Sequence, residues 1–558
     1  VGFKCSSPST VAVQRLGVLD GLGVVKLSWS GLARVRGTEE SCDMYTRFSL
    51  TLFVIRRTLM IIVALGFCLP RFYGERPNIV FIFTDDHATQ AVSAYGGMLA
   101  DIAPTPNLDR IANEGILFRK CYVTNSICGP VRAVIQTGKH SHLNGFRQNG
   151  DRFDGSQPTA PKYLRKAGYQ TAIIGKWHLA STPTGYDHFE VLKGQGAYYN
   201  PMLITNGENL DHIGYTTDII TERTIDWLKN KRDPDKPFLL MTQQKAPHGR
   251  WEPALRHLQV FADMEMPEPP TLFDDYSGRA RPISQNRARM LEEMNDFRLM
   301  IKYSSKHTPE QFKPFDDYFR PRNEAMLAAN LSDFERKKWN YQRYIKNYLR
   351  CVRAVDEGVG QMLEYLDESG LAKNTIVIYS SDQGFYLGEH GLFDKRWMYE
   401  ESLRTPLLVR WPGVAKKGTV NDTDIVSNLD FAQTFLDLAG ADIPEDMQGR
   451  SLVPIFKGER PRDWREYHYY HYYEHGGHGV PLHFGVTDGR FKLIRYPDPD
   501  NNTWEMFDLK NDPMEMKNIY GQANPEVQQT LKKQLSRLRA EYDVPEDELE
   551  GMRQSGQR

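Results

Sequence analysis

Short apolar runs punctuate the chain: Pro77-Asn-Ile-Val-Phe-Ile-Phe-Thr84, Thr171-Ala-Ile-Ile-Gly-Lys176, Pro237-Phe-Leu-Leu-Met-Thr242, Thr375-Ile-Val-Ile-Tyr-Ser380 and Thr405-Pro-Leu-Leu-Val-Arg410. Brief runs that stay apolar on consecutive positions and are rich in Val, Ile and Phe predict strands buried on both faces. The segments 105–115, 216–230 and 340–368 between them read as helices. Strands alternating with helices predict an α/β sandwich around a central, largely parallel sheet, whose ligands gather at the carboxyl ends of the strands. Polar residues stand at those ends: Asp85-Asp86-His87 after the first run, Lys176-Trp177-His178 after the second, Lys245-Ala-Pro-His248 after the third and Asp382-Gln383 after the fourth.

The pattern then changes twice. Residues 251–345 break the alternation with Pro, acidic and Arg-rich stretches and several aromatics, and are expected to form a surface insertion over the pocket. From about 465 the chain turns to Tyr467-His-Tyr-Tyr-His-Tyr-Tyr-Glu-His475, a strand-like pair around Asp488-Gly489, and Trp504-Glu-Met-Phe-Asp-Leu509. Strands joined by an Asp-Gly turn predict a smaller C-terminal antiparallel sheet, followed by a helix over 525–542. The aromatics of 467–478 are expected to pack rather than to stack on a glycan. The organisation expected is therefore a leader (1–76), a main domain (77–464) with its insertion (251–345), a C-terminal subdomain (465–545) and a polar tail (546–558).

Within the leader, residues 1–47 show no sustained period, and Met44 is a candidate start. Arg56-Arg57 followed by the apolar run Leu59–Leu69 has the layout of a signal peptide and is too short for a membrane span. Export to the periplasm or medium is expected, with no stable membrane span after processing.

Composition narrows the function. A chain of 558 residues can bury a large core and carry more than one structural unit. Its 70 Lys and Arg against 71 Asp and Glu give no basis for a nucleic-acid partner, so an anionic ligand needs a local cationic pocket. Six cysteines, at 5, 42, 68, 121, 128 and 351, make no disulfide framework. Three fall in the leader.

The candidate chemistry centres on Cys128-Gly-Pro-Val-Arg132, followed by Thr137-Gly138. Gly129 permits a sharp turn and Pro130 suits a first helical turn, so Cys128 is expected at a helix N-terminus, with Arg132 one turn on and Gly138 ending the helix. A lone Cys is more often a packed residue than a nucleophile. Asp-Asp after a strand is more often a helix cap than a ligand pair. Yet Asp85, Asp86, Asp382 and Gln383 close two strands, and hard oxygen donors without a Cys or His cluster suit calcium or magnesium better than zinc. Lys176 and His178, two apart in an extended segment, can face one site.

These motifs, in this order from 77 to about 415, resemble the formylglycine-dependent type I sulfatases, a family with an alkaline-phosphatase-like sandwich fold. The pentapeptide has Val131 where the family usually has Ser, and Gln383 stands where Asn is more usual. The resemblance implies that Cys128 is oxidised by a formylglycine-generating or equivalent maturation enzyme to an aldehyde whose hydrate attacks sulfur. It implies metal ligation by Asp85, Asp86, residue 128, Asp382 and Gln383, sulfate contacts from Arg132, Lys176 and Lys395, a base at His178 and a leaving-group residue at His248. Asp394-Lys-Arg-Trp-Met-Tyr-Glu400, with Arg404-Thr-Pro-Leu-Leu-Val-Arg-Trp-Pro-Gly413 after it, looks most like the branch of N-acetylglucosamine-6-sulfatases and related bacterial glycan sulfatases. The implied substrate is a sulfated carbohydrate and the implied cofactor calcium, with magnesium the alternative. Competing readings are an arylsulfatase, a phosphate or phosphonate ester hydrolase of the same superfamily, and a glycan-binding pseudoenzyme with an unmodified thiol at 128.

Overall fold

The structure, a computed structural model, describes residues 11–15, 28–33, 76–304, 306–474 and 476–546. The signal-like segment Arg56–Leu69, Met44 and most of the polar tail lie outside the described residues. The chain divides into two units, residues 1–74 and 75–558. Of the first, an antiparallel pair is described, Val11–Arg15 with Ser28–Ala33, where the sequence shows no sustained period.

The second unit is built on a ten-stranded sheet. Its strands are β1 (Asn78–Thr84), β2 (Ile116–Phe118), β3 (Gln170–Lys176), β4 (His188–Leu192), β5 (Met202–Thr205), β6 (Glu208–Asp211), β7 (Phe238–Gln243), β8 (Thr375–Ser381), β9 (Leu407–Arg410) and β10 (Thr419–Asn421). They lie in the order β10-β2-β9-β8-β1-β7-β3-β4-β5-β6. The central block β8-β1-β7-β3-β4 is parallel throughout, and β9 and β5 border it antiparallel. The five apolar runs are all strands of this sheet, as predicted.

Both faces of the sheet are covered, which is why the runs are apolar without alternation. Ile79, Phe81 and Phe83 of β1 join one core with Val131 and Ile135 of helix α2 (Cys128–Thr137) and Phe431 and Phe435 of α6 (Phe431–Leu438). Val80 and Ile82 join the other, with Leu108 and Ile111 of α1 (Pro106–Asn113), Ile219 and Ile220 of α3 (Thr216–Asp226), and the inner side of α5 (Asp333–Glu368).

The segment 251–345 is mostly irregular, with one long helix of its own, α4 (Pro309–Ala328). Helix α5 starts at a capping box of Ser332 and Glu335 and runs unbroken through residue 345. It pins the irregular part: Asn340 Nδ2 donates to Met290 O (2.5 Å) and Arg343 Nη1 to Leu299 O (3.0 Å). From the main sheet side, Gly391 O accepts from Met290 N (3.0 Å).

The C-terminal sheet is antiparallel, β11 (His468–Tyr472), β12 (His483–Thr487), β13 (Phe491–Tyr496) and β14 (Thr503–Asp508) in sequence order. Helix α7 (Pro525–Glu541) covers one face with Leu531, Leu535 and Leu538, while Tyr470, Tyr472, Ile494 and Tyr496 on the other face join the main core. Every residue of β11 is buried, so its aromatics pack, as expected. Among the described residues no helix is long and apolar enough to cross a membrane.

Candidate active site

Four adjacent parallel strands deliver the site. The register pairs Ser381 of β8 with Thr84 of β1, so Asp382 and Asp85 emerge side by side. On the other flank Gln243 of β7 pairs with Phe83 and with Gly175 of β3, which brings out Lys176. Gly175 is required here: its φ is +111°, and a Cβ would lie 1.9 Å from Gln243 O.

Helix α2 points its first turn at these strand ends. Cys128 is its first residue, Gly138 closes it in the left-handed conformation, and Asn149 Oδ1 accepts from Gly129 N (3.1 Å) in place of a cap side chain on the helix itself. A side chain at 129 would press within 2.5 Å of Phe146. Cys128 is fully buried; Lys395 Nζ lies 3.2 Å and Gln383 Nε2 4.0 Å from its sulfur. Burial, with Asp85 beside it, pushes the thiol well above its ordinary range despite Lys176 and Lys395.

Three carboxylates meet three cations in this core. Lys176 pairs with Asp85, and Lys395 Nζ lies 2.6 Å from Asp86 Oδ1. Arg132, stacked 5.2 Å over Phe83, donates to Asp382 Oδ2 (3.0 Å), Gln243 Oε1 (2.6 Å) and Lys176 O (3.0 Å). Its fork thus braces the carboxylates beside residue 128. Asp86 holds φ +66°, fixed by its N–H donating to Asp382 Oδ1 (2.9 Å) and its carbonyl accepting from Tyr348 on α5 (2.6 Å).

The carboxylates titrate apart. Burial acts to raise Asp85, but Lys176, His248 and Arg132 outweigh it and hold the group well below the usual carboxylate range. Burial lifts Asp86 to about 6 against the pull of Lys395, and lifts Asp382 with Asp85 adding to it. Among the described residues, two oxygens here, Asp85 Oδ1 and Gln383 Oε1, are buried with no hydrogen-bond partner, the first 3.7 Å from Arg132 Nη2, and the Gln383 amide nitrogen bonds Asp86. Ligand atoms of Asp85, Asp86 and Asp382 lie within 4.8 Å of one another, as do those of Asp85, Cys128 and His248. Clustered carboxylates with unsatisfied buried oxygens fit a hard divalent cation.

The two histidines sit at the edge of this core. His248 donates Nδ1–H to Gly249 O (2.8 Å) and turns Nε2 toward Asp86 Oδ2 (3.7 Å). His178, at φ +55°, has Nε2 3.0 Å from Gln195 Nε2 and a buried Nδ1 without a partner. Burial lowers both imidazoles, His178 to about 2.

A cleft of about 380 Å³ opens from Asp86, His248 and Lys395. Its remaining wall holds residues that the sequence did not single out: Asn149, Gln195, Trp251, Arg298 and His478. Asp394 and Arg396 also line it; they flank Lys395 at φ +84° and +94°, and stood in the stretch that carried the branch resemblance. Glu474, just past the buried β11, ties that wall together by accepting from Arg396 Nη1 (2.5 Å), Tyr472 Oη (2.9 Å) and Asn149 N (2.9 Å). Cys121 and Cys351 are separate buried thiols, so no bridge joins them.

Comparison with known proteins gives a consistent result. A family model described as sulfatase matches residues 77–441, and one described as N-sulphoglucosamine sulphohydrolase, C-terminal, matches residues 388–541. The chain is 45% identical to an N-acetylglucosamine-6-O-sulfatase of Bacteroides thetaiotaomicron over 508 residues, 87% of this chain and 90% of the relative. It is 28% identical to the human N-acetylglucosamine-6-sulfatase, over 73% of this chain and 70% of that one. Among solved structures, that of BT4656 in complex with its substrate D-glucosamine-2-N,6-O-disulfate superposes with a TM-score of 0.82 at 44% identity, covering 85% of this chain and all of that one.

Proposed function

The chain belongs to the sulfatase family and hydrolyses sulfate esters, and on that premise we propose that it removes the 6-O-sulfate from a glucosamine-type sugar in a glycan. The observation that carries this reading is the 45% identity to an N-acetylglucosamine-6-O-sulfatase over most of both chains. The cleft supports it: a small, polar, cation-lined pocket suits one anionic sugar better than a flat aryl ester.

Formylglycine at Cys128 and a divalent cation, calcium or else magnesium, among Asp85, Asp86, Asp382 and Gln383 supply, when present, a hydroxyl nucleophile and neutralisation of the sulfate oxygens. The remaining work falls to side chains of the chain itself. Lys395 is assigned to hold a sulfate oxygen next to residue 128, since its Nζ already bridges Asp86 and the sulfur. Lys176, braced by Asp85, is assigned a second such contact, and Arg132 keeps the carboxylates in place. His178 is assigned as the proton acceptor, as the family resemblance implies.

His248 is assigned as the leaving-group acid. Its Nδ1–H is committed to Gly249 O, so the proton that can be given up is the one on Nε2. Burial and the neighbouring lysines lower the imidazole, and the negative charge of a bound sulfate ester acts in the opposite direction. The assignment requires a formylglycine-generating or equivalent maturation enzyme as partner. The signal-like Arg56–Leu69 segment supports a periplasmic or secreted location.

The test is sulfate release by purified enzyme from N-acetylglucosamine 6-sulfate, its 3-sulfate and nitrophenyl sulfate. The 6-sulfate is expected to be turned over and the 3-sulfate not. Hydrolysis of nitrophenyl sulfate alone would remove the sugar assignment and leave the sulfatase.

A further inference from the structure

The basic side chains around the cleft fall into two groups. Lys395 is paired with Asp86, Arg396 with Asp394 and Glu474, and His478 with Glu293. Arg298 and Arg250 differ. Among the described residues neither guanidinium makes a hydrogen bond or an ion pair, and each rests instead on a ring, Arg298 4.7 Å over Phe393 and Arg250 4.5 Å over Phe297.

Arg298 is held where it is. Its backbone N–H is bound by Asn295 Oδ1 (3.2 Å), the next residue Leu299 is buried with its carbonyl bound by Arg343, and Met300 O accepts from Asn323 (2.8 Å). A half-buried guanidinium with no acceptor of its own is costly, because desolvation is not offset by a hydrogen-bonded counter-charge. Asp394 and Glu293 ease that cost only from beyond ion-pair range. A stacked guanidinium keeps its in-plane N–H edge free, the arrangement that receives a carboxylate or sulfate in a bidentate fashion.

We propose that Arg298, assisted by Arg250 at the cleft's edge, forms a second anion subsite that takes a charged substituent other than the sulfate being cleaved. The ligand class is an oxyanion, either a sulfamate on the C2 nitrogen of the same sugar or the carboxylate of an adjoining uronic acid. The inference rests on the reading of the cleft as a sugar pocket. It makes the preferred substrate a sugar sulfate with two negative groups, one held over residue 128 and one on the wall supplied by the insertion.

The experiment compares kcat/KM of wild type, Arg298→Gln and Arg298→Lys on three 6-sulfates: N-acetylglucosamine 6-sulfate, its N-sulfated analogue, and the N-acetyl sugar linked to a uronic acid. A charge-assisted hydrogen bond is worth about 1.5–3 kcal/mol, or roughly 10–150-fold. Arg298→Gln is therefore expected to lose at least about tenfold more on whichever dianionic substrate carries the recognised group than on the N-acetyl monosaccharide, chiefly in KM, with Arg298→Lys between the two. The substrate that suffers identifies the source. Equal losses on all three would assign Arg298 a structural role and overturn the subsite alone. Hydrolysis of nitrophenyl sulfate by wild type with no turnover of any of the sugars would overturn the sugar reading and the subsite together.

Discussion

Cys128 opens α2 at the strand ends, with Lys395 Nζ 3.2 Å from its sulfur, and on the reading of the site as a sulfatase's the group that acts there is an aldehyde made from it. The Cys128 peptide of active enzyme is expected to carry the mass of an aldehyde, and Cys128→Ala to abolish turnover of every sulfate ester while melting near wild type. An unmodified thiol in fully active enzyme would reverse that assignment. His248 separates leaving groups: nitrophenolate departs unaided, whereas a sugar oxygen needs a proton as the ester bond breaks. His248→Ala should slow a sugar 6-sulfate by about 10²–10⁴ in single-turnover chemistry and nitrophenyl sulfate far less. An equal slowing of both would leave His248 as a binding residue. Asp382→Ala removes a carboxylate that also anchors Arg132 and Asp86, so metal content and activity are expected to fall together; full activity in a metal-free preparation would contradict the cation assignment.

At the scale of elements, what was legible in the sequence is what the sheet's geometry demands. A strand buried on both faces must read as an apolar run, and a parallel sheet must present its ligands where those runs end. Asp85, Lys176, His248 and Asp382 could therefore be found by position, and Cys128-Gly-Pro by the demands of a tight helix start. The individual residues of the pocket's outer wall could not, although the segment that carries several of them, 251–345, was expected over the pocket. Asn295 and Arg298 come from irregular backbone, and Glu474 follows a strand whose own residues are all packed, so no period marks them. The direction of Arg132 was also beyond the sequence, because it depends on Asp382 and Gln243 arriving beside it from two other strands. The tightest of these meetings gives a direct test. Gly175→Ala forces a Cβ onto Gln243 O at a positive φ, and is expected to cost about 2–5 kcal/mol of stability and to displace Lys176. Urea denaturation and activity measured together check it; a variant with wild-type midpoint and turnover would show that β3 and β7 can part freely.

Across the whole molecule, the C-terminal sheet is fastened to the nucleophile's surroundings by buried neutral histidines. His468 of β11 bonds Val123 O (3.0 Å) on the chain leading into α2, and His140 beyond α2, bonded to Gln448 Oε1 (2.9 Å), packs against the ring of Tyr469 of β11 (centroids 5.9 Å apart). His483 of β12 bonds Pro481 O (2.9 Å) and stacks on Trp397, two residues from Lys395. Burial lowers all three imidazoles from about 6.5, His140 and His468 to about 3 and His483 to about 4. The sign follows from linkage: below about 6.5 the unfolded chain takes up protons that the folded chain refuses, so each histidine's contribution is intact above that pH and is lost as pH falls toward the folded values. Glu190, buried and paired with Arg223 (2.7 Å) and Lys231 (2.8 Å), acts in the same direction but lower. Its folded value is depressed despite burial, so its contribution begins to fade only below about 4.5. The histidines' contribution to the melting temperature is therefore expected to fall from about pH 6.5 and that of Glu190 below about 4.5, while buried carboxylates with raised values, such as Glu252 at about 7, work in the opposite direction. His483→Gln, which keeps a polar side chain and removes the titration, should start less stable or equal at pH 7 and lose less stability than wild type as pH falls from about 6.5. A slope identical to wild type between pH 6.5 and 4.5 would mean that the acid response comes from elsewhere in the fold.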